Sequence, residues 1–365
     1  MPLWLRNGVF TAMDTLASCH HPGACMETHT RRDDARANAR ETLCILPRRT
    51  VLEQPASCTD ADPYPPLSQP QAARAWFERE GYLLVRGAIP ARLCQAGVDA
   101  FRTEVHGDRT GLFERHISGK FEPHQYTSAG YMKYPIMNLQ DLTSRRHAGF
   151  RRAGLTVLTH PAIQRAMVAL TGEMARCVHT MYFDGNQTTW AHRDGNYIDS
   201  GNDGQMIGVW VAAEDIHPDA GRFFVLPRSH RMRVPGEEGD PNSPEYKARM
   251  ADFVRDGPLD CVAPVLRQGD LLLWSSMLIH GSLPTADERW SRRSFTAHYV
   301  PMSQPYKWNV RSQQSENSVR FNRVEVLLHA DDGTALARLR NHVRTEWPRA
   351  YGAVRSVWRQ FTAGG

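Results

Sequence analysis

The chain has 365 residues, 41% of them hydrophobic, which is enough for one large core or two smaller ones; we expect one main domain with extensions. The formal net charge of +5 comes almost wholly from arginines that are scattered along the chain, so a concentrated basic surface for nucleic acid is not expected. No apolar run approaches 18 residues, so no transmembrane helix is expected either.

The seven cysteines contain neither a Cys-x-x-Cys pair nor a zinc-like spacing, and we interpret them as free thiols in a reducing cytoplasm. The first 20 residues carry a single positive charge, Arg6, and lack the apolar run of a secretory signal. We therefore expect a cytoplasmic protein that does not act at a membrane.

Residues 1–65 offer no periodic apolar face. They include a charge-dense stretch at 28–40 and end in Asp62-Pro63-Tyr64-Pro65-Pro66. This composition predicts a loosely ordered N-terminal extension. A start codon placed too early, with Met26 as the true beginning, is the alternative.

From residue 66 the pattern becomes that of a folded domain. Ala72, Ala73, Trp76 and Phe77 recur at helical spacing, and Gly81 ends that helix before a strand at 82–87. Further helices are predicted at 91–105 and 161–171. Residues 128–142 show no clear pattern.

Short apolar segments separated by turn residues dominate the next part of the chain. Strands are predicted at 178–183, 206–212, 223–226, 270–274 and 293–299. Many short strands with turns between them favour a mainly β fold, a double-stranded β-helix (jelly roll, cupin-like) with flanking α-helices, over residues 66–303.

Two polar segments accompany the predicted barrel. Residues 235–258 interrupt the strands, and we expect this insertion to act as a lid at the barrel mouth. Residues 304–365 are predicted to be a C-terminal helical extension that packs on the barrel. A helix is predicted there over 334–361, with Leu336, Leu339, Val343 and Trp347 on its packed stripe and a break at Pro348.

Three residues have the spacing of a metal site. His192 and Asp194 lie two positions apart, so on an extended segment their side chains project to the same side. The best candidate for a third ligand is His280, 86 residues after Asp194. Two histidines and one carboxylate form the facial triad of non-haem Fe(II) oxygenases, which leaves adjacent metal positions open for a cosubstrate and O₂.

The order of several motifs around this triad is that of a known family. Trp190-Ala191-His192-Arg193-Asp194 is followed by Gly208-Val209-Trp210, by Gly221-Arg222-Phe223 with Pro227-Arg228-Ser229-His230, by Gly269-Asp270-Leu271, and by His280-Gly281-Ser282 with Arg292-Arg293-Ser294-Phe295. Together with the entry Glu80-Gly81-Tyr82, these motifs resemble the phytanoyl-CoA dioxygenase family of Fe(II)- and 2-oxoglutarate-dependent oxygenases. The resemblance covers residues 70–300.

The resemblance implies that His192, Asp194 and His280 bind iron and that Arg292 binds the distal carboxylate of 2-oxoglutarate. Trp210 and Ser282 are further cofactor-binding candidates. Charge supports Arg292 independently, because Fe²⁺, one aspartate, one arginine and the 2-oxoglutarate dianion sum to zero. His230 resembles a ligand, but in the family its segment is a structural turn.

The interval from His280 to the arginines is one residue longer than the family's, so Arg293 is an alternative to Arg292. Strand alternation favours Arg292. It lies on one face with Ser294, Thr296 and His298, whereas Arg293 shares the other face with Phe295 and Tyr299. A bound dianion needs the polar face.

The activity implied by the resemblance is oxidative decarboxylation of 2-oxoglutarate by O₂ to succinate and CO₂, coupled to hydroxylation of a small-molecule or natural-product substrate. Desaturation, cyclisation or epimerisation use the same ligands and remain open. Halogenation is disfavoured because Asp194 occupies the position where halide would bind. The rival hypotheses are a non-catalytic metal-binding jelly roll and a zinc hydrolase, neither of which needs an arginine for 2-oxoglutarate.

Overall fold

The computed structural model describes residues 40–45, 50–55, 64–115, 120–186, 189–235, 237–308, 317–330 and 334–352. By its contacts the chain divides into Met1–Ala37 and Asn38–Gly365, and every described residue belongs to the second unit. Most of the predicted N-terminal extension therefore lies outside the described residues.

The described residues form sixteen strands and six α-helices. The strands are β1 (Arg40–Ile45), β2 (Thr50–Pro55), β3 (Tyr82–Val85), β4 (Phe113–Glu114), β5 (Phe121–Glu122), β6 (Ile136–Met137), β7 (Ala175–Phe183), β8 (Ile198–Ser200), β9 (Ile207–Ala212), β10 (Phe223–Val225), β11 (Leu271–Ser275), β12 (His280–Ser282), β13 (Ser294–Pro301), β14 (Tyr306–Trp308), β15 (Ser318–Phe321) and β16 (Val324–Leu327). The helices are α1 (Pro70–Glu80), α2 (Ala91–Ala100), α3 (Ala148–Leu158), α4 (Pro161–Thr171), α5 (Pro244–Asp256) and α6 (Ala335–Glu346).

The main sheet has the strand order β15-β16-β7-β13-β9-β11-β3, and β6 also pairs with β7. Its central strands β9, β11 and β13 are buried along their whole length. Both faces of β9 and β11 are covered, which explains why their sequences are almost continuously apolar, whereas β13 alternates polar and apolar residues.

Helices α1 to α4 cover the outer face of the main sheet. Their apolar residues join the outward-facing residues of the sheet, such as Val209, Leu273 and Phe295, in the largest hydrophobic cluster. Local sequence explains where two of these helices begin and end. Each starts with a proline, at Pro70 and Pro161, and each ends at a glycine in the left-handed region.

The inner face of the main sheet packs against a smaller layer made by β10 and β12. Trp210, Leu272 and Trp274 from the main sheet meet Phe223 and Val225 from β10 in a second cluster. This two-layered barrel with helices outside confirms the predicted jelly roll.

The sequence pattern missed α3. Its sequence contains two glycines and only scattered apolar residues, which weakens the helical signal. The glycine at 154 is explained by packing, since an added Cβ would lie 2.5 Å from Cδ2 of Leu139 and 3.2 Å from Cε1 of Phe295. The helix thus lies closer to the sheet than a larger residue permits. By contrast, the predicted bounds of α4 match the structure.

The insertion at 235–258 is held by its own apolar stripe. Ser243 caps α5, and Tyr246, Met250 and Val254 pack into a cluster with Phe224 and other residues of the small layer. The insertion is thus packed against the small layer, and its role as a lid at the barrel mouth stays a prediction.

The C-terminal segment differs from the predicted helical extension in two ways. It contains the strands β14, β15 and β16, of which β16 pairs in parallel with β7. In addition, α6 buries the face opposite to the predicted one. Leu336, Leu339 and Trp347 are 72%, 58% and 56% exposed.

The buried face of α6 is mostly polar, because its partners are hydrogen-bonding groups: Asn341 donates to the carbonyl of Asp141 (3.1 Å). The helix ends at Glu346, just before the predicted break at Pro348. Residues 353–361 of the predicted helix lie outside the described residues. Across the described chain, no helix is both long and apolar enough to cross a bilayer.

Candidate metal centre

Backbone pairing brings the two candidate histidines together. The amide of His192 donates to the carbonyl of His280 and the amide of His280 donates to that of His192, both at 3.0 Å. Residues 88 positions apart in the chain thus become direct neighbours across the small layer. Asp194 follows at the start of a short 3₁₀ turn, Asp194–Asn196.

The ligand atoms of His192, Asp194 and His280 all lie within 4.8 Å of one another. Nε2 of His192 is 3.3 Å and Nε2 of His280 is 3.5 Å from Oδ1 of Asp194. Within the described ranges, this is the one group of three or more histidine, cysteine or acidic residues that is close enough to hold a metal.

The hydrogen bonds on the far side of each imidazole determine which nitrogen carries a proton. Nδ1 of His192 lies 2.8 Å from the carbonyl of Trp190, and Nδ1 of His280 lies 2.9 Å from that of Leu278. A carbonyl only accepts, so each Nδ1 must donate, and in the neutral ring Nε2 keeps its lone pair. Two lone pairs therefore face a carboxylate oxygen, an arrangement that a cation between them satisfies.

The second oxygen of Asp194 is also occupied. Oδ2 accepts from Nε1 of Trp274 at 2.8 Å and lies 3.0 Å from Nε2 of His298. Burial alone would raise the pKa of Asp194, but in the metal-free site attraction to protonated imidazoles of His280 and His298 and hydrogen bonds donated by the imidazoles hold it well below its ordinary value. The carboxylate therefore stays charged and ready to bind a metal.

Aromatic rings enclose the three side chains. Phe223 stacks on His280 with centroids 5.4 Å apart and a 10° angle between the rings, and Trp274 lies 5.1 Å from His280. Tyr197 lies edge-on to His192 at 6.0 Å. These rings exclude water from the ligand side of the site, which strengthens electrostatic interactions within it.

The insertion contacts the same loop. The side chain of Asn196 donates to the hydroxyl of Tyr246 (2.6 Å), and the hydroxyl of Tyr197 donates to the carbonyl of Pro241 (2.8 Å). Lys247 of α5 lies 3.9 Å from the ring centroid of Trp190. The insertion thus meets the chain on both sides of the metal-binding residues.

The face of β13 that points into the barrel is polar. Ser294, Thr296 and His298 lie on this face, whereas Phe295 and Tyr299 join the outer cluster under the helices. Ser294 pairs with Phe183 and Ala212, and Thr296 with Met181 and Trp210, in the neighbouring strands.

Arg292 lies two residues before this strand and is 2% exposed. Its guanidinium carbon lies 5.3 Å from the ring centroid of Phe183, and its Nε has no hydrogen-bond partner in the part of the chain that the structure describes. Burial lowers the pKa of Arg292 to about 9. A buried cation of this kind favours the arrival of an anion.

Arg293 points the other way and already has acidic partners. Its Nε lies 2.9 Å from Oδ1 of Asp184, and its Nη1 lies 2.9 Å from Oε2 of Glu214. Its backbone amide also donates to Glu214. These two carboxylates hold Arg293 in the scaffold on the outer side of the sheet.

The two second-rank candidates occupy different settings. Trp210 is buried in the cluster between the two sheets, next to Phe223 at 6.2 Å. Ser282 accepts a hydrogen bond from the backbone amide of Thr189 (2.7 Å) and donates to Asn186 (3.2 Å). In the structure Ser282 thus ties down the chain that leads to His192.

His230 and Arg193 lie outside the triad. His230 contacts the carbonyl of Glu78 at 3.0 Å, next to α1. Arg193 is buried, where it donates to the carbonyls of Ser229 and Met232.

Trp274, which contacts Asp194, was not predicted from the sequence as a site residue. The sequence feature that could have identified it is strand alternation, which places Trp274 on the inner face of β11, as it places His298 on the inner face of β13.

Comparison with known proteins agrees with this architecture. The family model for phytanoyl-CoA dioxygenase (PhyH) matches residues 77–294. Phytanoyl-CoA dioxygenase domain-containing protein 1 of Bos taurus is 29% identical over 114 residues, and its counterpart in Danio rerio is 28% identical over 114 residues. Each alignment covers 30% of this chain and 38% of the relative, so the match spans well under half of those proteins.

Among solved structures, the epimerase SnoN, crystallised with Fe³⁺, alpha ketoglutarate and nogalamycin RO, aligns over 73% of this chain and 97% of its own. The TM-score is 0.50 at 19% identity, which shows a shared fold. The family model covers more than half of the sequence and includes all three residues of the triad. The chain belongs to the phytanoyl-CoA dioxygenase family.

Proposed function

We propose that this chain is an Fe(II)- and 2-oxoglutarate-dependent dioxygenase that hydroxylates a small-molecule or natural-product substrate. The observation that carries the proposal is the convergence of His192, Asp194 and His280 at one point inside a jelly roll, together with a buried arginine on the inner side of the same barrel. Three protein ligands on one face of an octahedral metal leave room for a cosubstrate and O₂.

The chemistry of the donor set fits iron. Two imidazole nitrogens and one carboxylate oxygen are the ligands used by non-haem Fe(II) oxygenases. His192 and His280 are each oriented by a backbone carbonyl, and the carboxylate of Asp194 is oriented by its own hydrogen bonds. The three ligands are thus pre-positioned by the fold.

The inner face of β13 fits 2-oxoglutarate. Arg292 Nε, Ser294 Oγ and Thr296 Oγ1 are all buried, and none has a hydrogen-bond partner among the described residues. Buried polar atoms are normally satisfied, so an array of them indicates a polar ligand. A dicarboxylate supplies acceptors for Arg292 and for both hydroxyls, and its two charges balance those of Arg292 and of a divalent metal bound by Asp194.

Each group of residues has a separate task in the proposed reaction. Arg292 orients the cosubstrate by binding its distal carboxylate, and Phe223, Trp210 and Trp274 keep water away from it. When iron, 2-oxoglutarate and O₂ are bound, decarboxylation to succinate and CO₂ supplies an oxidant that removes a hydrogen atom from the substrate. Trp190 and Tyr197, which flank His192, are placed to contact that substrate.

Hydroxylation is the default outcome, and desaturation, cyclisation or epimerisation by the same site is the alternative.

We also propose a cytoplasmic location, supported by the described cysteines Cys94, Cys177 and Cys261, which are all free thiols and buried.

The test is anaerobic addition of Fe(II) and 2-oxoglutarate to the full chain, followed by absorbance spectroscopy. We expect a visible charge-transfer band, and succinate release once O₂ is admitted. His192→Ala, Asp194→Ala and His280→Ala should each abolish the band in a folded protein, because each removes one of three ligands.

His230→Ala is the matched control. Nε2 of this histidine contacts the carbonyl of Glu78 in α1, outside the triad, so its variant should keep the band. Metal binding without a response to 2-oxoglutarate would contradict the proposal and would favour a non-catalytic metal protein or a zinc hydrolase.

A further inference from the structure

The carboxylate of Asp194 is divided between two tasks. Oδ1 faces the two histidines, whereas Oδ2 receives Trp274 Nε1 at 2.8 Å and His298 Nε2 at 3.0 Å. Because a carboxylate oxygen only accepts, Nε2 of His298 must be the donor. Both donors are buried, so water does not replace them.

The two donors come from strands that are not adjacent. Trp274 lies on β11 and His298 on β13, and β9 runs between them. At this level of β9 lies Gly208, which is opposite Trp274 on one side and opposite His298 on the other. Three neighbouring strands therefore present an indole, a glycine and an imidazole in one row toward Asp194.

The absence of a side chain at Gly208 is what allows the indole to reach the carboxylate. A Cβ added at this position would lie 2.1 Å from Cε2 and 2.6 Å from Nε1 of Trp274, well inside van der Waals contact. Gly208 is not among the residues with positive φ, so its backbone conformation does not require glycine. Its role is steric.

We propose that Trp274 and His298 are positioning residues that hold Oδ2 of Asp194, so that Oδ1 alone is presented to a metal, and that Gly208 makes room for this arrangement. A carboxylate with both oxygens free can rotate or bind a metal through both of them. Fixing one oxygen selects single-atom binding and leaves more positions for other ligands. The proposal rests on the proposed function, because it assumes that the triad is the metal site.

The test is titration of the metal-free full chain with Co(II), which reports both affinity and, through its visible d–d spectrum, the ligand geometry. Trp274→Phe removes the N–H donor and keeps a ring, and His298→Leu removes the imidazole at similar size. Each should weaken Co(II) binding by about 10- to 100-fold, the usual effect of losing a hydrogen bond to a metal ligand, and should change the spectrum. Gly208→Ala should also weaken Co(II) binding, because the added methyl group would displace the indole of Trp274.

His298→Gln is the rescue variant, because its amide can donate from nearly the same place as Nε2, and it should bind Co(II) more tightly than His298→Leu. Two residues outside the site, the buried His147 and the partly buried Trp76, serve as matched controls. His147→Gln alters a comparable contact, Nε2 of His147 to Asp108 at 3.0 Å, and Trp76→Phe removes an indole of α1. Neither should change Co(II) affinity or the spectrum.

Comparison with Asp194→Ala separates the two proposals. If Asp194→Ala loses Co(II) binding while Trp274→Phe and His298→Leu bind it as the wild type does, the positioning role is wrong and the metal site stands. If Asp194→Ala binds Co(II) like the wild type, the metal site itself is wrong. Thermal unfolding of each metal-free variant checks that affinity changes do not come from loss of the fold.

Discussion

Arg292 and Arg293 are adjacent in the chain, yet the alternation that begins β13 gives them different surroundings. Arg292 is buried on the inner side above Phe183, whereas Arg293 binds Asp184 and Glu214 on the other side. The family spacing left the choice between them open. Strand alternation favoured Arg292, and its burial without an acidic partner among the described residues supports the same assignment.

The alanine variants of these two arginines should affect different properties, cosubstrate affinity for Arg292 and stability for Arg293. Arg292→Ala removes a charge-assisted contact to the cosubstrate, so the affinity for 2-oxoglutarate should fall by about 30-fold to several thousand-fold, or about 2–5 kcal/mol. The fold should be little affected. The measurement is the apparent affinity for 2-oxoglutarate at saturating Fe(II).

Arg293→Ala is the matched control. It leaves the buried carboxylate of Asp184 without its cation, so the free energy of unfolding should fall by about 3 kcal/mol while the affinity for 2-oxoglutarate stays close to that of the wild type. The reverse result, with Arg293→Ala losing affinity for 2-oxoglutarate, would mean that Arg293 and not Arg292 faces the cosubstrate.

At the scale of single elements, α6 shows how polar contacts can override an apolar stripe. Asn341 donates to the carbonyl of Asp141, and the carboxylate of Asp141 accepts from the amides of His329 and Ala330. These contacts attach the C-terminal segment to the 3₁₀ turn Leu139–Asp141. Leaving them unmade would cost more than exposing two leucines, because buried polar groups need partners.

Asp141 also makes the stability of this attachment depend on pH. Burial raises the pKa of its carboxyl from 3.8 to about 7, although the two backbone hydrogen bonds oppose the rise. The folded protein therefore keeps a proton up to about pH 7 that the unfolded chain releases near pH 4. The contribution of protonated Asp141 to the free energy of unfolding is fully present below pH 4 and is lost as the pH rises to about 7.

Asp141→Asn should remove this dependence, because the amide keeps an acceptor oxygen and has no proton to lose. Relative to the wild type, the variant should gain about 2–4 kcal/mol in free energy of unfolding between pH 4 and pH 8. Urea unfolding of the variant and the wild type at pH 4 and pH 8 measures this gain. Any effect of the amide that does not depend on pH cancels when the results at the two pH values are subtracted. Asp203→Asn, at an exposed carboxylate, is the control. An equal effect of Asp141→Asn at both pH values would contradict the raised pKa.

At the scale of the whole molecule, the sequence was most informative where one residue type has one physical use. Apolar runs bounded by turn residues predicted the jelly roll, and the His-x-Asp spacing predicted two neighbouring ligands. The histidine 86 residues later was brought in by family resemblance, since nothing local in the chain shows the pairing of His192 with His280. The indole of Trp274 and the steric role of Gly208 depend on contacts across three strands, which one sequence does not reveal.

The N-terminal residues are predicted to be separable from the catalytic domain. The hairpin β1–β2 pairs with no other described strand, and the family match starts at residue 77. Within residues 64–115, the first side chain that packs on the core is Tyr64, whose ring lies 5.6 Å from Trp76 and 6.0 Å from Tyr82. A chain that begins at Asp62 should therefore fold, bind Fe(II) and turn over 2-oxoglutarate as the full chain does.

A slightly longer truncation provides the contrast. Starting at Ser68 also removes Tyr64 and Leu67, which pack against the main cluster, and should lower the free energy of unfolding by about 1–3 kcal/mol. The two truncations are compared by urea unfolding and by succinate release at saturating 2-oxoglutarate. If the chain from Asp62 folds but fails to release succinate, residues 1–61 contribute to the site and the extension is part of the enzyme.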